Sequence, residues 1–600
     1  VSVAQSGPVT CLVYGRIMYR RDLLARAGLS AADVMSASDA DLVLGCYRAR
    51  GSIMLGWLEG DFSVVIIDRV AARVFGVRDP MGGYPLYWTA IRDVVGITTA
   101  LRPLDALQGG AIPNDSYLGN VQMLPFFETD HTTETAFRGI SRVLPGTMIE
   151  VDMRTSSVTE NRLWDWSERQ DEAVGMSLDD AAARFRELLD ASIAERLRGN
   201  VAAHLSGGMD STAIALLAHQ RLAADNRPLQ AMTVTYEKLH GLAGEGRYID
   251  AVKARPGLEW HRFSGDDILD FDHFDTATRY DEPYPGFFRA AMNQELVGHT
   301  VAAGADTVLT GMGADELTAN APFQIADDLR AGRLRVAWRE AGRWATAGSR
   351  STWSIFAPFG IEPLIPARLR GGLLAALNNG YAFGGRGNAW TIPPWIKRSF
   401  ARSGRLQVHI IDHLSGLASS RETVVMSFAH ELIRLTAGDW VRANIAAPLG
   451  LHVTHPFRDP RLIRHALGVR ASIPPVPGEQ KALLARATAD ILPEAIARRR
   501  EKGNFNAVYF KGLQRNLPAL ERLIDDTAGS ANHLFDPGIL RERLRDAALG
   551  VDDVRRVHGL NNSLAILHWL RQLPDWRSAE IQRTPLKDIL PPSDSGTDRP

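Results

Sequence analysis

Short hydrophobic runs separated by polar turns predict β-strands over residues 1–165 of the chain. The run PVTCLVYGRIMY predicts one strand, and DFSVVIIDRVAARVFGVRD predicts two strands joined by a turn. Between these runs, the apolar residues of SDADLVLGCYRARG recur at helical spacing and share one face. This part of the chain is therefore predicted to be a layered, β-rich α+β domain.

After a polar, acidic linker the pattern changes, and short apolar runs alternate with amphipathic segments. Ser177 precedes an apolar stripe at helical spacing and predicts a capped helix start. The elements that follow are predicted in the order strand 201–205, helix 211–223, strand 230–236, helix 290–303 and strand 306–310. Such alternation indicates a parallel sheet with helices on its faces. Beyond residue 320 the pattern predicts mainly helices.

Composition narrows the class of protein. With 600 residues the chain is too long for one hydrophobic core, so at least two domains are expected. A net charge of −1 without a basic stripe argues against a nucleic-acid partner, and no apolar run reaches the ~18 residues of a membrane span. Cys11 and Cys46 form no CxxC pair and are expected to be buried, which favours a reducing, cytoplasmic location.

The turn SGGMDS, which follows the first strand of the predicted parallel sheet, carries candidate chemistry. A strand that runs through glycines into a helix points backbone N–H groups and the positive end of the helix dipole at one place. Gly207 and Gly208 allow close backbone approach, and Ser206 and Ser211 add hydroxyl groups. Asp210 fits such a phosphate-binding turn if Mg²⁺ bridges its carboxylate to the phosphates. The alternative is an ordinary capped helix after a tight turn.

A second turn, in DTVLTGMGADELT, repeats this arrangement. Gly311 and Gly313 follow a predicted strand, and Asp315 and Glu316 open a helix. Because ligands of parallel sheets bind at the carboxyl ends of strands, Asp210 and Asp315 are predicted to share one Mg²⁺. The alternative is that the two acidic residues only complement the dipole of the helix that they begin.

The two turns together resemble the pyrophosphate-loop (PP-loop) ATP domain of the asparagine synthetase superfamily. The segments HPFRDPRLIRHAL and KALLARATADILPEAIARRREKGNF resemble two later motifs of that domain. The segments GRIMYRRDLL and LEGDFSVVIID…RVFGVRDPMGGYPLYW resemble the glutaminase-like domain that precedes it. The combination of these segments is more specific than any one of them.

The resemblance implies two domains and a tail. Residues 1–165 would form a glutaminase-like, Ntn-type α+β domain with a β-sandwich. Residues 177–585 would form an α/β PP-loop synthetase domain, of the adenine nucleotide alpha hydrolase type, with a helical C-terminal part. Residues 586–600 are rich in Pro, Ser and Asp and are predicted to be disordered.

The resemblance also implies a reaction that uses ATP and Mg²⁺ to activate a carboxylate. The carboxylate attacks the α-phosphate, pyrophosphate leaves, and an amine then displaces AMP from the acyl-adenylate. Lys481 and Lys502 match two lysines of the family motif, and both are expected to be catalytic residues. Either lysine could instead be a solvated helix residue. The run Arg498–Arg500 is expected to be mostly solvated, with one of its arginines matching an arginine of the family.

The N-terminal domain bears on the source of the amine. Asparagine synthetases release ammonia from glutamine with a cysteine at the mature N-terminus, whose own α-amine acts as base. This sequence begins with Val1, and Cys11 lies too close to the GRIMY segment to take that place. The glutaminase-like domain is therefore expected to be inactive, and the amine is expected to be carried by the substrate.

Two branches of the superfamily use such an internal amine: the β-lactam and carbapenam synthetases, and the lasso peptide cyclases. The β-lactam branch has a tyrosine that helps to deprotonate the amine, and this sequence has Met312 at that position. Because a methionine side chain cannot transfer a proton, the difference argues against β-lactam closure. The long helical C-terminal part also resembles a lasso peptide cyclase. Such a cyclase joins the N-terminal amine of a precursor's core peptide to an Asp or Glu side chain. A leader peptidase and a leader-binding protein are the expected partners.

Several alternatives remain open at this point. An ammonia-using asparagine synthetase and a β-lactam synthetase-like enzyme share the same ATP chemistry, whereas a precursor-binding scaffold would share only the fold. Tryptophans between residues 338 and 400 could shape a peptide cavity or belong to the core: Trp338, Trp344, Trp353, Trp390 and Trp395.

Overall fold

The fold is described from a computed structural model. It covers residues 1–30, 37–123, 129–166, 173–239, 242–252, 257–276, 279–318, 321–366, 369, 392–415, 422–497, 499, 503–550 and 554–578. Trp390, Lys502 and the predicted tail 586–600 lie outside the described residues.

The N-terminal part consists of antiparallel sheets and flanking helices. Its strands are β1 (Ser2–Ser6), β2 (Val9–Met18), β3 (Glu59–Asp68), β4 (Arg73–Arg78), β5 (Tyr87–Ile91), β6 (Val94–Thr98), β7 (Ser141–Arg142), β8 (Thr147–Asp152) and β9 (Ser157–Arg162). One sheet has the order β1-β2-β3-β4-β8-β9, and a second has the order β6-β5-β7. The helices are α1 (Arg20–Ala27), α2 (Asp39–Arg50), α3 (Leu101–Leu107) and α4 (Asp115–Met123).

The predicted β-strands and helix of this part are confirmed. Strands β2, β3 and β4 pair in sequence order, and the inward residues of β2 and β3 pack against α1 and α2. Helix α2 begins with a capping box, in which Ser38 accepts from the Asp41 amide and Asp41 accepts from the Ser38 amide. The period of the apolar residues therefore determines both element types here.

A parallel sheet forms the centre of the following part, as the alternating pattern predicts. Its strands are β10 (Val201–His204), β11 (Leu229–Thr235), β12 (Leu258–Ser264), β13 (Thr307–Leu309) and β14 (His452–Thr454). They pair in the order β12-β11-β10-β13-β14, and every pairing is parallel. The helices that flank it include α5 (Leu178–Arg196), α6 (Met209–Ala224), α7 (Gly246–Asp250) and α8 (Ala290–Ala302).

Strands β12 and β14 are absent from the sequence prediction. Strand β14 has three residues and pairs with β13, which lies far away in the sequence, so no local period reports it. The expectation of a mainly helical chain beyond residue 320 is confirmed, with β14 as an added strand. The difference matters because β14 joins the sheet beside β13, directly before the HPFRDP segment.

Helices make up most of the remaining chain. They are α9 (Ala314–Thr318), α10 (Gln324–Arg330), α11 (Leu334–Ala347), α12 (Trp353–Phe356), α13 (Arg398–Ser403), α14 (Leu406–Ser415), α15 (Val424–Leu435), α16 (Pro460–Ser472), α17 (Ala482–Ala487), α18 (Glu494–Ala497), α19 (Asn506–Asp526), α20 (Pro537–Ala548) and α21 (Val554–Ser578). Helices α19 to α21 share one apolar core with α3 and α4 of the N-terminal part. Within the part of the chain that the structure describes, no helix has the length and apolar character needed to cross a membrane.

Buried histidines predict how the stability of this fold depends on pH. Burial lowers the pKa of His204, His455 and His568 to about 4 each, against about 6.5 in an unfolded chain. Between these values the unfolded chain binds protons that the folded chain does not. The stabilisation is therefore complete above pH 6.5 and is lost as pH falls towards 4, by up to about 1.4 kcal/mol per pH unit for each histidine.

We expect the thermal midpoint to fall between pH 7 and pH 5, measured by circular dichroism at constant ionic strength. His568→Gln should flatten this slope, because it removes one of the three buried histidines. A midpoint that rises as the pH falls would contradict the expected sign.

Candidate active site

The first turn folds as a compact loop between β10 and α6. Gly207 has φ +73°, a left-handed value that L side chains rarely adopt, and its missing side chain leaves room for Tyr248. The Ser206 and Ser211 hydroxyl groups lie 2.8 Å apart, and the Ser206 amide donates to the Ser211 hydroxyl at 3.2 Å. The loop is thus closed on itself, with the first amide groups of α6 at its opening.

The second turn lies beside the first because β13 is the neighbour of β10 in the sheet. A Cβ on Gly311 would lie 2.6 Å from the Ser211 backbone nitrogen, so only glycine allows the two turns this approach. Gly313 has φ +97° and faces Phe457 and Arg458. Both turns therefore occupy the carboxyl edge of the parallel sheet, where the sequence predicts them.

Lys481 joins the two turns. Its ammonium nitrogen lies 2.5 Å from the Asp210 carboxylate and 2.7 Å from the Asp315 carboxylate. Lys481 is 8% exposed and has φ +51° directly before α17, so it is not the solvated helix residue of the alternative prediction. Asp210 and Asp315 are thus placed to hold one cation together.

This pair of carboxylates fits the coordination of Mg²⁺ in a nucleotide site. Among the residues that the structure describes, no three His, Cys, Asp or Glu side chains form a complete metal cage. Mg²⁺ in phosphate chemistry needs no such cage, because one or two carboxylates, substrate phosphates and water complete its shell. Asp210 and Asp315 are the residues that could supply the protein's share, and the turns beside them carry amides that could bind phosphate.

A cavity of about 480 Å³ opens beside the two turns. Ser206, Gly208, Asp210 and Lys481 line its polar end. Its other walls are mostly apolar and aromatic, and they come from β11, α8 and the start of α19: Met232, Val234, Tyr236, Met292, Leu296 and Phe505. A cavity that combines the hydroxyl, amide and charged groups of the two turns with apolar and aromatic side chains has the mixed polarity that a nucleoside triphosphate requires.

Arg499 is a cavity residue that the sequence interpretation assigns to a solvated run. Its side chain is 9% exposed, forms an ion pair with Glu245 and donates to the Gly207 carbonyl at 3.2 Å. Its guanidinium also stacks on Tyr248, 4.3 Å from the ring centre. Arg499 is therefore the one arginine of this run that the structure describes, and it reaches the site because the segment after α18 returns to the first turn. A run of charged residues in the sequence does not by itself indicate that one of them contacts the first turn.

Four of the five tryptophans between residues 338 and 400 are described, and they differ in burial. Trp395 is buried and donates to the Ser563 hydroxyl, and Trp344 is half-buried against Glu340. Trp338 and Trp353 are 48% and 58% exposed. None of these four described residues lines the 480 Å³ cavity. Met312, at the second turn, is 41% exposed.

The prediction that both cysteines are small buried residues is confirmed. Cys11 and Cys46 are fully buried, and burial raises the pKa of both thiols, that of Cys46 to about 11. Because the thiolate is the nucleophilic form, neither side chain has the properties of a reactive cysteine.

We expect Gly311→Ala to weaken ATP binding about tenfold. The added Cβ meets the backbone of Ser211 and Asp210, and strain of this kind costs about 1–3 kcal/mol. Calorimetric titration with a non-hydrolysable ATP analogue measures the change. Gly298→Ala in α8 is the control, because its Cβ would meet nothing within 4 Å. Equal affinities for the two variants would show that the turns need no close approach.

Comparison with known proteins assigns the chain to a family. The asparagine synthase family model matches residues 184–571, and a glutamine amidotransferase domain model matches residues 3–164. Asparagine synthetase [glutamine-hydrolyzing] 2 of Bacillus subtilis is 25% identical over 240 residues, which cover 38% of this chain and 31% of the relative. The amidase chyE of Penicillium rubens is 25% identical over 333 residues, covering 52% and 47%. A probable asparagine synthetase of Schizosaccharomyces pombe is 26% identical over 343 residues, covering 50% and 55%.

The matched segments thus span about half or less of the length of these curated relatives. Among solved structures, the glutamine phosphoribosylpyrophosphate amidotransferase of B. subtilis covers 52% of this chain and 72% of its own at 12% identity, with a TM-score of 0.19, which is too low to support a structural argument. The family assignment rests instead on the two domain matches and on the order of a glutamine amidotransferase-type domain before a PP-loop sheet. The expected two-part fold is confirmed, and the chain belongs to the asparagine synthase family.

Proposed function

We propose that this chain is an ATP-dependent, AMP-forming ligase that activates a carboxylate and transfers it to an amine. One observation carries this proposal: the ammonium of Lys481 contacts the carboxylates of both Asp210 and Asp315, and Asp210 and Lys481 line a 480 Å³ cavity. Relatives named asparagine synthetase support the same chemistry. The proposed co-substrate is ATP, and the proposed metal is Mg²⁺.

Different residues of the cavity would bind different parts of ATP and its metal ion. The amides of the first turn, with the Ser206 and Ser211 hydroxyls, would bind the terminal phosphates, and the apolar wall would hold the adenine ring. When bound by Asp210 and Asp315, Mg²⁺ would neutralise negative charge on the departing pyrophosphate. Lys481 contacts both carboxylates, and its ammonium would add to the same stabilisation. Lys502 lies outside the described residues, and its catalytic role remains part of the proposal.

The finer proposal is a lasso peptide cyclase. The leader-cleaved core peptide of a precursor would be adenylylated on an Asp or Glu side chain, and its own N-terminal amine would close the macrolactam ring. The buried Cys11 and Cys46 support an amine that does not come from glutamine hydrolysis by either of these thiols. Met312 stands where the β-lactam branch has a tyrosine, and this difference supports the lasso peptide cyclase over a β-lactam synthetase-like enzyme. A leader peptidase and a leader-binding protein would be the partners.

Mass spectrometry of the core peptide tests this proposal. The purified protein is incubated with ATP, Mg²⁺ and the precursor encoded beside its gene, together with the leader peptidase and the leader-binding protein. The proposal predicts loss of one water from the core peptide and one AMP per ring. Lys502→Ala should abolish both products, whereas Lys511→Ala, at an exposed lysine of α19, should form them normally.

The relatives favour a second candidate, an asparagine synthetase that uses ammonia. It predicts asparagine from aspartate, ATP and ammonia with no peptide present. AMP formation with a small β-amino acid would instead indicate a β-lactam synthetase-like enzyme. If the folded protein forms no AMP with any of these substrates, the ligase proposal fails and a precursor-binding scaffold becomes the better account.

A further inference from the structure

A chain of buried polar groups connects the second turn with the N-terminal domain. It begins at Thr310, the residue between β13 and Gly311, and ends at Asp61 in β3. Every member is at least nine-tenths buried: Thr310 8% exposed, His455 1%, Asp439 7%, Arg442 1% and Asp61 4%. Buried polar groups of this kind are costly unless they are satisfied, so the arrangement calls for an explanation.

The hydrogen bonds at the turn have one consistent direction. The Met312 amide donates to the Thr310 hydroxyl at 3.2 Å, and that hydroxyl lies 2.7 Å from Nδ1 of His455. Nε2 of His455 lies 2.5 Å from the Asp439 carboxylate. Burial lowers the pKa of His455 to about 4, so its ring is neutral at pH 7. The neutral ring donates from Nε2 to Asp439, and Nδ1 accepts the proton of Thr310.

The second half of this series of buried polar groups crosses the interface between the two domains. Arg442 lies between two carboxylates, with Nε 3.3 Å from Asp439 and Nη2 3.4 Å from Asp61. Asp61 also accepts the Thr454 hydroxyl at 2.6 Å, and Thr454 ends β14, the neighbour of β13. Asp61 therefore fixes both the arginine and the strand that support the second turn.

We propose that Asp61, Arg442, Asp439, His455 and Thr310 form a positioning chain through which the N-terminal domain holds the second turn in place. Thr310 and His455 are positioning residues, because they act through the Met312 amide and do not line the nucleotide cavity. The functional part of the inference, the placing of Asp315 for the reaction, rests on the proposed ligase activity. It gives the N-terminal domain a role that requires no glutamine hydrolysis.

Hydrogen exchange of the intact protein tests the positioning chain without any substrate. Thr310→Val keeps the size of the side chain but leaves the Met312 amide and His455 without their partner. Leaving these buried groups unsatisfied favours local opening, so amide exchange in residues 307–318 should be about tenfold faster or more. Thr310→Ser should restore slow exchange. Thr527→Val, which removes a buried hydroxyl bonded to the Leu523 carbonyl, should leave residues 307–318 unchanged.

The end of the positioning chain that lies in the N-terminal domain, at Asp61, provides the sharper test. Asp61→Asn lies in the other domain and should also accelerate exchange in residues 307–318. Asp105→Asn is its matched control, since Asp105 is a 3% exposed carboxylate paired with Arg577. Unchanged exchange at residues 307–318 in both Thr310→Val and Asp61→Asn would overturn the inference. Equal acceleration by Asp105→Asn would do so too, because it would indicate general loosening of the fold.

Kinetics then separates this inference from the proposed function. For AMP formation we expect Thr310→Val to lower kcat about tenfold while the KM for ATP stays unchanged, with rescue by Thr310→Ser. If Thr310 only stabilised the fold, the variant would contain less folded enzyme, but each folded molecule would keep the parent kcat and the parent KM for ATP. If the parent protein forms no AMP, the ligase proposal fails, and the exchange data alone decide the positioning chain. A normal kcat in Thr310→Val would overturn the placing of Asp315 even where the ligase proposal holds.

Discussion

Asp210→Asn is expected to lower the rate of AMP formation by about 10²–10³-fold, the loss typical of removing one preorganised electrostatic group from an active site. Asparagine keeps the size of the side chain and removes its charge. The variant leaves Lys481 with one carboxylate, that of Asp315, and leaves a bound Mg²⁺ with one protein carboxylate. The fold should persist, because the Asp210 side chain is 22% exposed and packs at no core position.

The measurement is a coupled assay of AMP and pyrophosphate at several Mg²⁺ concentrations. Higher Mg²⁺ should recover part of the lost rate, since the defect is a weaker cation site. Asp190→Asn provides the control, because Asp190 also pairs with a cation, Arg221, on the outer face of α5. Asp315→Asn should behave like Asp210→Asn. Normal rates in both variants would remove the basis for assigning catalysis to the two turns.

Glu282→Ala is expected to produce the largest loss of stability, about 3 kcal/mol, because the buried Arg142 then keeps only the Asp130 carboxylate, which it shares with Arg78. Glu282 and Arg142 are both fully buried and form an ion pair between the synthetase part and β7 of the N-terminal domain. The other Glu282 oxygen accepts the Ala136 amide at 3.0 Å. Burial raises the pKa of the Glu282 carboxyl, and the charge of Arg142 opposes this shift.

Urea and thermal unfolding at pH 7 measure this loss. Glu282→Gln should fall between the parent and the alanine variant, since it retains hydrogen-bonding atoms without the charge. Glu150→Gln is the control, because its ion pair with Arg73 is about one-third exposed and such pairs contribute at most about 1 kcal/mol. Equal midpoints for the parent and Glu282→Ala would contradict the view that this pair ties the two domains together.

Local sequence patterns predict the parts of this molecule whose structure is decided locally. The glycines and hydroxyls of SGGMDS predict a tight turn before a helix, and the apolar period predicts β10, α6 and β13 around it. The order of parallel strands then brings the two turns together, which places Asp210 near Asp315. The turn and helix predictions need only the geometry of one strand, one turn and one helix, whereas the nearness of the two aspartates also requires β10 and β13 to be neighbours in the sheet.

The remaining features depend on contacts between distant segments. Strand β14 has three residues, and its pairing with β13 is decided by the sheet rather than by its own period. Arg499 reads as part of a solvated run, yet it pairs with Glu245 from a separate loop. His455 has no local signal beyond the HPFRDP segment, and its partners Thr310 and Asp439 come from other elements. No period or charge pattern encodes such pairings.

The most direct test of the ligase account follows one oxygen atom. The core peptide is prepared with ¹⁸O in the side-chain carboxyl groups of its Asp and Glu residues and incubated with the protein, ATP and Mg²⁺. If the carboxylate attacks the α-phosphate and the peptide's amine then displaces AMP, one ¹⁸O must appear in AMP while the peptide loses one labelled water equivalent. Label in inorganic phosphate with ADP as co-product, or AMP that carries no label, would contradict carboxylate activation at this site.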